Sequence, residues 1–245
     1  MIDQPSYSIL EVIKGQPGLR FTDLRILRLS SRTLARRLRQ LQEQRVIRKR
    51  SGKYFLTMEG NIIYQNLLQI QNFLRFQPFF CPERFQRIAL ELLRKLLWRY
   101  CTLLATNFGE ALQTIILFGS MARGHWTQES DIDLCVVLQN RHEASWERSR
   151  ELVNVRNKAR ATLEYQEFVE GLNFSPRFQH YPLTTQETER YHAIFPDLAF
   201  DGLVLYDRDK FGTKLQERLL QALIKRGARR IQKSPTQYYW EGVFS

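Results

Sequence analysis

Acidic residues are scarce in this chain. Its 245 residues carry 37 Lys and Arg against 25 Asp and Glu, a formal net charge of +12. So basic a balance points to a polyanionic partner, nucleic acid before membrane. Cysteine is nearly missing: Cys81, Cys101 and Cys135 are odd in number, far apart and form no C-x-x-C pair. That excludes a disulfide framework and predicts reduced thiols in a cytoplasmic setting. The four histidines, His125, His142, His180 and His192, have no metal-ligand spacing, and no Ser-His-Asp arrangement stands out. No apolar run long enough for a membrane span is free of charge; Glu91, Arg94, Lys95 and Arg99 interrupt the most apolar helix. The opening residues lack the basic and apolar regions of a signal peptide. Internal repeats and low-complexity tracts are absent too. What remains has the length of one large globular domain or two small ones.

The densest chemical signal is Leu117-Phe118-Gly119-Ser120-Met121-Ala122-Arg123-Gly124, followed by Ser130-Asp131-Ile132-Asp133-Leu134. Gln113 to Phe118 is β-branched and apolar, which predicts a buried strand ending at Gly119. Gly119 allows close backbone approach to a ligand, and Ser120 offers a hydroxyl and an N–H at a predicted helix N-terminus. Arg123 adds a fork of donors suited to phosphate oxygens. On the next predicted strand Asp131 and Asp133 share one face, while Ile132 and Leu134 point into the core. Two carboxylates so close call for a cation, and Mg²⁺ or Mn²⁺ bound together with substrate phosphates answers that need. Two such ions roughly 3.5–4 Å apart would stabilise the attacking and leaving oxygens of an in-line displacement.

These two segments resemble the nucleotidyltransferase superfamily of DNA polymerase β, and specifically the minimal nucleotidyltransferases. The resemblance covers about residues 110 to 207, is strongest over 117–134, and includes the late segment Gly202-Leu203-Val204-Leu205-Tyr206. It implies a mixed sheet, an NTP bound by Gly119, Ser120 and Arg123, and a metal held by Asp131 and Asp133 as the catalytic pair. The superfamily also adds a third carboxylate from a later strand. Here that strand is predicted over Leu172 to Leu183, where Asn173, Ser175, Arg177 and Gln179 form the polar face and none is acidic. Three alternatives follow. Glu167 or Glu170 reaches in from upstream; Asn173 or Gln179 acts as a weaker oxygen ligand; or the site has lost its chemistry. Arg177 in this row would repel a metal and attract a phosphate.

The first sixty residues follow another pattern. Helices are predicted from Ser6 to Lys14, from Phe21 to Leu27, and from Ser30 or Ser31 to about Gln44. On the third, Leu34, Leu38 and Leu41 share the buried face, and Arg32, Thr33, Arg36, Arg39 and Gln40 lie opposite. Two short strands, 46–50 and 53–56, then turn about Ser51-Gly52. Three helices and a hairpin resemble the winged helix-turn-helix domain of prokaryotic repressors. In that frame the third helix enters the major groove, and Arg48, Lys49, Arg50 and Lys53 on the wing meet flanking phosphates of double-stranded DNA.

The expected fold class is α+β: a winged helix-turn-helix over 1–60, a helical linker over 61–108, a mixed-sheet nucleotidyltransferase domain over 109–207, and a basic C-terminal helix and tail over 208–245. In the linker Phe85, Ile88, Leu92, Leu96, Tyr100 and Leu103 step by three and four along a helix from about Glu83 to Thr106. That face packs on the sheet or forms the seam of a homodimer. Further helices are predicted over Glu143 to Phe168, Thr184 to Ile194 and Phe211 to about Ile231, the last with Leu215, Leu219, Leu223 and Ile224 inward.

Two functions fit. One is a DNA-binding enzyme that transfers an NMP from an NTP to a hydroxyl on protein, tRNA or other RNA, or a small molecule. The other is a transcriptional regulator whose nucleotidyltransferase domain senses nucleotide without turnover. Relatives with such small domains include antitoxin-type and toxin-type proteins, an analogy of family alone.

Overall fold

The computed structural model describes residues 2–233 and 238–242. It divides into two compact units, Met1–Arg75 and Phe76–Ser245.

In the first unit, helix α1 (Gln4–Gly15) starts where the Asp3 carboxylate accepts from the Ser6 N–H at 3.2 Å, with Pro5 in the first turn. It buries Ile9, Leu10 and Ile13. Strand β1 (Leu19–Arg20) leads to a 3₁₀ turn, Asp23–Leu27, where an α-helix was predicted. The segment is too short to repay α-helix nucleation, and Asp23 instead accepts from the Arg20 N–H at 2.7 Å. Helix α2 (Ser31–Glu43) is capped by Ser30, whose hydroxyl accepts from the Thr33 N–H at 3.1 Å. Strands β2 (Ile47–Arg50) and β3 (Lys53–Leu56) turn through Ser51 and Gly52, both at positive φ (50° and 73°), the geometry a two-residue hairpin needs. The sheet runs β1-β3-β2, antiparallel throughout. Helix α3 (Met58–Phe76) starts inside the first predicted unit, three residues before the linker expected from 61, because the Thr57 hydroxyl accepts from the Gly60 N–H at 2.9 Å. The core joins Leu24, Leu34, Leu38, Leu41, Val46, Ile47 and Tyr54 to the buried face of α1 and to Tyr64 of α3. Each such aliphatic side chain contributes about 1.5–3 kcal/mol on burial.

The second unit is built on a four-stranded mixed sheet in the order β6-β5-β4-β7. Helices α4 (Pro82–Gln86) and α5 (Glu91–Phe108) replace one predicted helix. Strand β4 (Leu112–Phe118) runs antiparallel to β5 (Ile132–Leu138) and β7 (Leu203–Asp207), and β6 (Phe178–Thr184) runs parallel to β5. Between β4 and β5 lies the five-residue α6 (Gly119–Arg123). A parallel step needs a crossover. It is made by α7 (Ser145–Arg160) and α8 (Leu163–Leu172), where one helix was predicted. The break falls at Thr162, whose hydroxyl accepts from the Tyr165 N–H at 3.4 Å and restarts the helix.

Strand alternation divides the core. Ile132, Leu134, Val136 and Leu138 of β5 face α5, α7 and α8 together with Ile115, Leu117, Leu203 and Leu205. Cys135 and Val137 face the other way with Ile116 and Val204, covered by α9 (Phe195–Phe200) and α10 (Phe211–Lys225). Helix α5, placed in a linker by its sequence position, is therefore half of one core layer: Leu93, Leu96, Leu97, Tyr100 and Leu104 are buried against the sheet. Helix α10 also packs on the sheet, where Leu215 and Leu219 cover Ile116 and Val204. Ile224, expected inward, is exposed.

The helix predicted over Thr184–Ile194 is only a 3₁₀ turn, Glu187–Glu189. Glu187 is held by the buried Arg148, at 2.6 and 2.9 Å, and by the Thr184 N–H at 2.7 Å, a fixed geometry a helix would break. Past α10 the chain turns at Gly227 into the hairpin β8 (Arg229–Gln232) and β9 (Tyr238–Glu241). Residues 234–237 and 243–245 of the predicted tail lie outside the described residues. No helix among the described residues is long and apolar enough to cross a membrane.

Candidate active site

The candidate site forms where the second face of the sheet runs out of apolar residues. Val137 and Cys135 are buried on that face, and Asp133 comes next in the same alternation, opposite Phe118 of β4. Asp131 precedes the strand on the same side, and the Ile132 N–H donates to the Arg177 carbonyl at 2.8 Å, tying the start of β5 to the approach to β6.

Gly119 closes β4 at φ 74°, a left-handed conformation. A Cβ there would run into Asp133 Oδ2 and stand 3.2 Å from its Cγ. The turn is therefore moulded to the carboxylate. Burial, then the Asp131 charge, push the Asp133 carboxyl up to about 6; Arg123 pulls it down and Asp197 raises it further. Among the described residues nothing donates a hydrogen bond or an ion pair to Asp133. A half-buried carboxylate without a partner, in a cradle that a Cβ would fill, fits a hard cation. Among the described residues no group of three or more His, Cys, Asp or Glu could hold a metal, so the fit rests on Asp133 and the charge of Asp131 beside it.

Asp131 is different. Arg177 Nε donates to Oδ1 at 2.8 Å and Gln179 Nε2 approaches Oδ2 at 3.4 Å. Of the four polar residues expected to line the site, these two reach the pair. Asn173 does not: at φ 54° it ends α8, and Leu172 and Phe174 beside it pack on the main core. Strand β6 thus begins six residues later than predicted, and Ser175 lies in the loop before it. Glu167 and Glu170 are on α8, and Glu167 lines a separate cavity with Glu91, Arg94, Lys95 and Trp98.

Ser120 is half-buried, and its carbonyl accepts from the His125 N–H at 3.1 Å. Arg123 is not a free phosphate fork. Its Nη1 donates to the Tyr238 hydroxyl at 2.8 Å and lies 3.4 Å from Asp201 Oδ2, and its guanidinium stacks over the Tyr238 ring at 4.8 Å. Tyr238 in turn donates to Asp197 Oδ1 at 2.6 Å, Trp240 Nε1 donates to the same oxygen at 3.1 Å, and Arg230 pairs with Asp201. The C-terminal hairpin is thereby fastened to α9 and α6. The sequence shows these residues only as part of a C-terminal tail, since no local pattern links Tyr238 and Trp240 to Arg123.

In the first unit, the polar face of α2 presents Arg32, Arg36, Arg39 and Gln40 to solvent, and β2–β3 presents Arg48, Lys49, Arg50 and Lys53. Thr33 belongs to the helix cap, its hydroxyl accepting from Ser30 at 2.9 Å. Gln40 accepts from Arg37 Nη1 at 3.0 Å, and Lys49 lies over the Tyr54 ring at 5.4 Å.

Residues 102–182 match the model of the nucleotidyltransferase domain family. A candidate protein adenylyltransferase of Methanocaldococcus jannaschii is 30% identical over 120 residues, which span 49% of this chain and 75% of that protein. Among solved structures, that of a variant of the toxin–antitoxin MntA-HpeT shares 18% identity over 54% of this chain and 91% of its own, with a TM-score of 0.32. A candidate nucleotidyltransferase from Sulfolobus solfataricus shares 16% identity over 58% and 90%, with a TM-score of 0.30.

Proposed function

This chain belongs to the nucleotidyltransferase family, and from that premise we propose that it transfers an NMP from an NTP to a hydroxyl acceptor and that its first unit is a winged helix holding double-stranded DNA. The observation that carries the transferase reading is Asp133, a half-buried carboxylate with no hydrogen-bond or ion-pair partner among the described residues, set against the φ 74° turn at Gly119. In the reaction the acceptor oxygen bonds to the α-phosphorus, the bond to pyrophosphate breaks, and the hydroxyl proton leaves to solvent or a nearby base. Asp133, with the Asp131 charge beside it, would hold Mg²⁺ or Mn²⁺, which would neutralise charge on the phosphate oxygens. Gly119 leaves room for the triphosphate, and Ser120 offers its hydroxyl and N–H. Arg123 would exchange Asp201 and Tyr238 for a phosphate oxygen. The name of the Methanocaldococcus relative favours ATP as donor and a protein hydroxyl as acceptor.

The DNA reading rests on eight exposed polar or cationic side chains on α2 and β2–β3, opposite a buried leucine face. A second function, the regulator that senses nucleotide without turnover, draws support from Arg177 occupying Asp131. One experiment separates the two. Purified protein is incubated with each α-labelled NTP, Mg²⁺ or Mn²⁺, and extract of its host, beside an Asp131→Ala/Asp133→Ala control. Label on a protein or RNA that vanishes in the control supports the enzyme. Nucleotide binding with no label from any NTP refutes it and leaves the regulator.

A further inference from the structure

The two aspartates of the candidate site differ in how their charge is met. Asp131 is answered from within the protein, Oδ1 by Arg177 Nε at 2.8 Å and Oδ2 by Gln179 Nε2 at 3.4 Å. Backbone register holds both donors in place. Asp133 pairs with Gln179 across the parallel strands, Ile132 pairs with Phe178, and the Ile132 N–H is bonded to the Arg177 carbonyl. Phe178 is buried and stacks on Tyr100 at 3.9 Å, so the strand that carries Arg177 and Gln179 is anchored by its opposite face. Asp133, by contrast, has no donor among the described residues, and the nearest basic group from the turn, Arg123, is engaged with Asp201 and Tyr238.

The charge count follows. Arg123 and Arg230 are matched by Asp197 and Asp201, whose oxygens also accept from Tyr238 and Trp240, so Asp131 and Asp133 against the Arg177 guanidinium leave one net negative charge, located at Asp133. Without nucleotide, two divalent ions would set four positive charges and a guanidinium against two carboxylates, and like charges at such spacing repel strongly in a partly desolvated site. A hard divalent ion also seeks several oxygens, and both oxygens of Asp131 already face nitrogen donors.

We propose that this site, before nucleotide binds, takes one divalent cation, at Asp133, and that Arg177, the residue just before β6, is its built-in second cation, set on Asp131 where another ion would otherwise sit. The inference rests on the aspartate pair being the nucleotide-transfer site. Arg177 is a positioning residue: it fixes the Asp131 carboxylate and supplies a positive charge that does not dissociate. Gln179 orients the other oxygen of the same carboxylate.

The test is Mn²⁺ binding to the full chain without nucleotide, following the free-ion electron paramagnetic resonance signal up to millimolar Mn²⁺. One ion per chain is expected. Asp133→Asn should weaken that site by roughly tenfold or more, whereas Asp131→Asn should keep one ion. Replacing the β6 donors in Arg177→Gln/Gln179→Asp should create a second site. Both substitutions are at solvent-facing positions, and circular dichroism of each variant checks that the fold is kept. Two ions on the unsubstituted chain, no saturable site, equal damage from the two aspartate variants, or no gain in the β6 variant would each overturn the proposal. Running the labelled-NTP assay alongside keeps the two readings apart. One ion without transfer to any acceptor would sink the transferase and leave the charge arrangement standing; transfer with two ions bound would do the reverse.

Discussion

Gly119→Ala is the sharpest probe of how the site is made. The residue sits at φ 74°, where a side chain costs about 1–2 kcal/mol in backbone energy alone. The new Cβ would also collide with Asp133 Oδ2 and stand 3.2 Å from its Cγ and 3.4 Å from its Cβ. Overpacking of this kind adds about 1–3 kcal/mol. The expected destabilisation is therefore about 2–5 kcal/mol. The assay is convenient because all four tryptophans, Trp98, Trp126, Trp146 and Trp240, lie in the second unit, so their fluorescence reports its unfolding in urea. At an m-value of about 2–3 kcal/mol/M the midpoint should fall by roughly 1 M. A double-mutant cycle separates the two causes. In an Asp133→Ala background the collision is gone and only the backbone cost of about 1–2 kcal/mol should remain. A Gly119→Ala protein within about 0.5 kcal/mol of the parent, or one that loses as much with Asp133→Ala as without it, would refute the reasoning.

His180 shares a 2.7 Å hydrogen bond with the Tyr100 hydroxyl, and burial, then Arg156, push its imidazole down to about 4 from the usual 6.5. Because the folded value is lowered, the unfolded chain takes the proton first, so its contribution is complete above pH 6.5 and is lost as the pH falls towards about 4. The urea midpoint of the parent should drop across that window, and His180→Phe should lack that part of the drop; parallel curves would count against it. Tyr100→Phe leaves the imidazole nitrogen without its partner and should cost about 1–3 kcal/mol at pH 7, read from the same fluorescence transition. If α2 and the β2–β3 hairpin meet phosphates, Arg36→Ala/Arg39→Ala/Arg48→Ala should flatten the plot of log affinity for duplex DNA against log salt by roughly 2–3 units. An unchanged slope would place nucleic acid elsewhere or exclude it.

The candidate site was half legible in the sequence, and the division has a physical cause. Asp131 and Asp133 could be placed on one face because a period of two is written in five consecutive residues, and Ser30 could be read as a cap because its partner is three residues away. The halves of the site that stayed hidden depend on long-range contacts. Arg123 meets Asp201 and Tyr238, 78 and 115 positions later, so its phosphate role looked freer than the fold allows. The start of β6 was placed too early because the alternation of Leu172, Phe174 and Phe178 suits a strand, whereas Asn173 in the left-handed region ends a helix there. The division of the predicted 143–168 helix turned on one hydroxyl, that of Thr162. The apolar stepping along 85–103 showed that one face is buried but not against what; the sheet of the second unit supplies the answer for α5.

Strand β6 has one more consequence, for how such a site changes over evolutionary time. Phe178 and His180 anchor the strand through Tyr100, while Arg177 and Gln179 alternate with them and face the aspartates. The residues that keep the strand in place and those that set the electrostatics are therefore different residues. Selection can rewrite the second set with little penalty to folding, and Gln and Glu differ at position 179 by an amide against a carboxylate oxygen. If the proposed cation site is used, one or two solvent-facing substitutions on this sheet could change its ion requirement while leaving the core that holds the strand untouched.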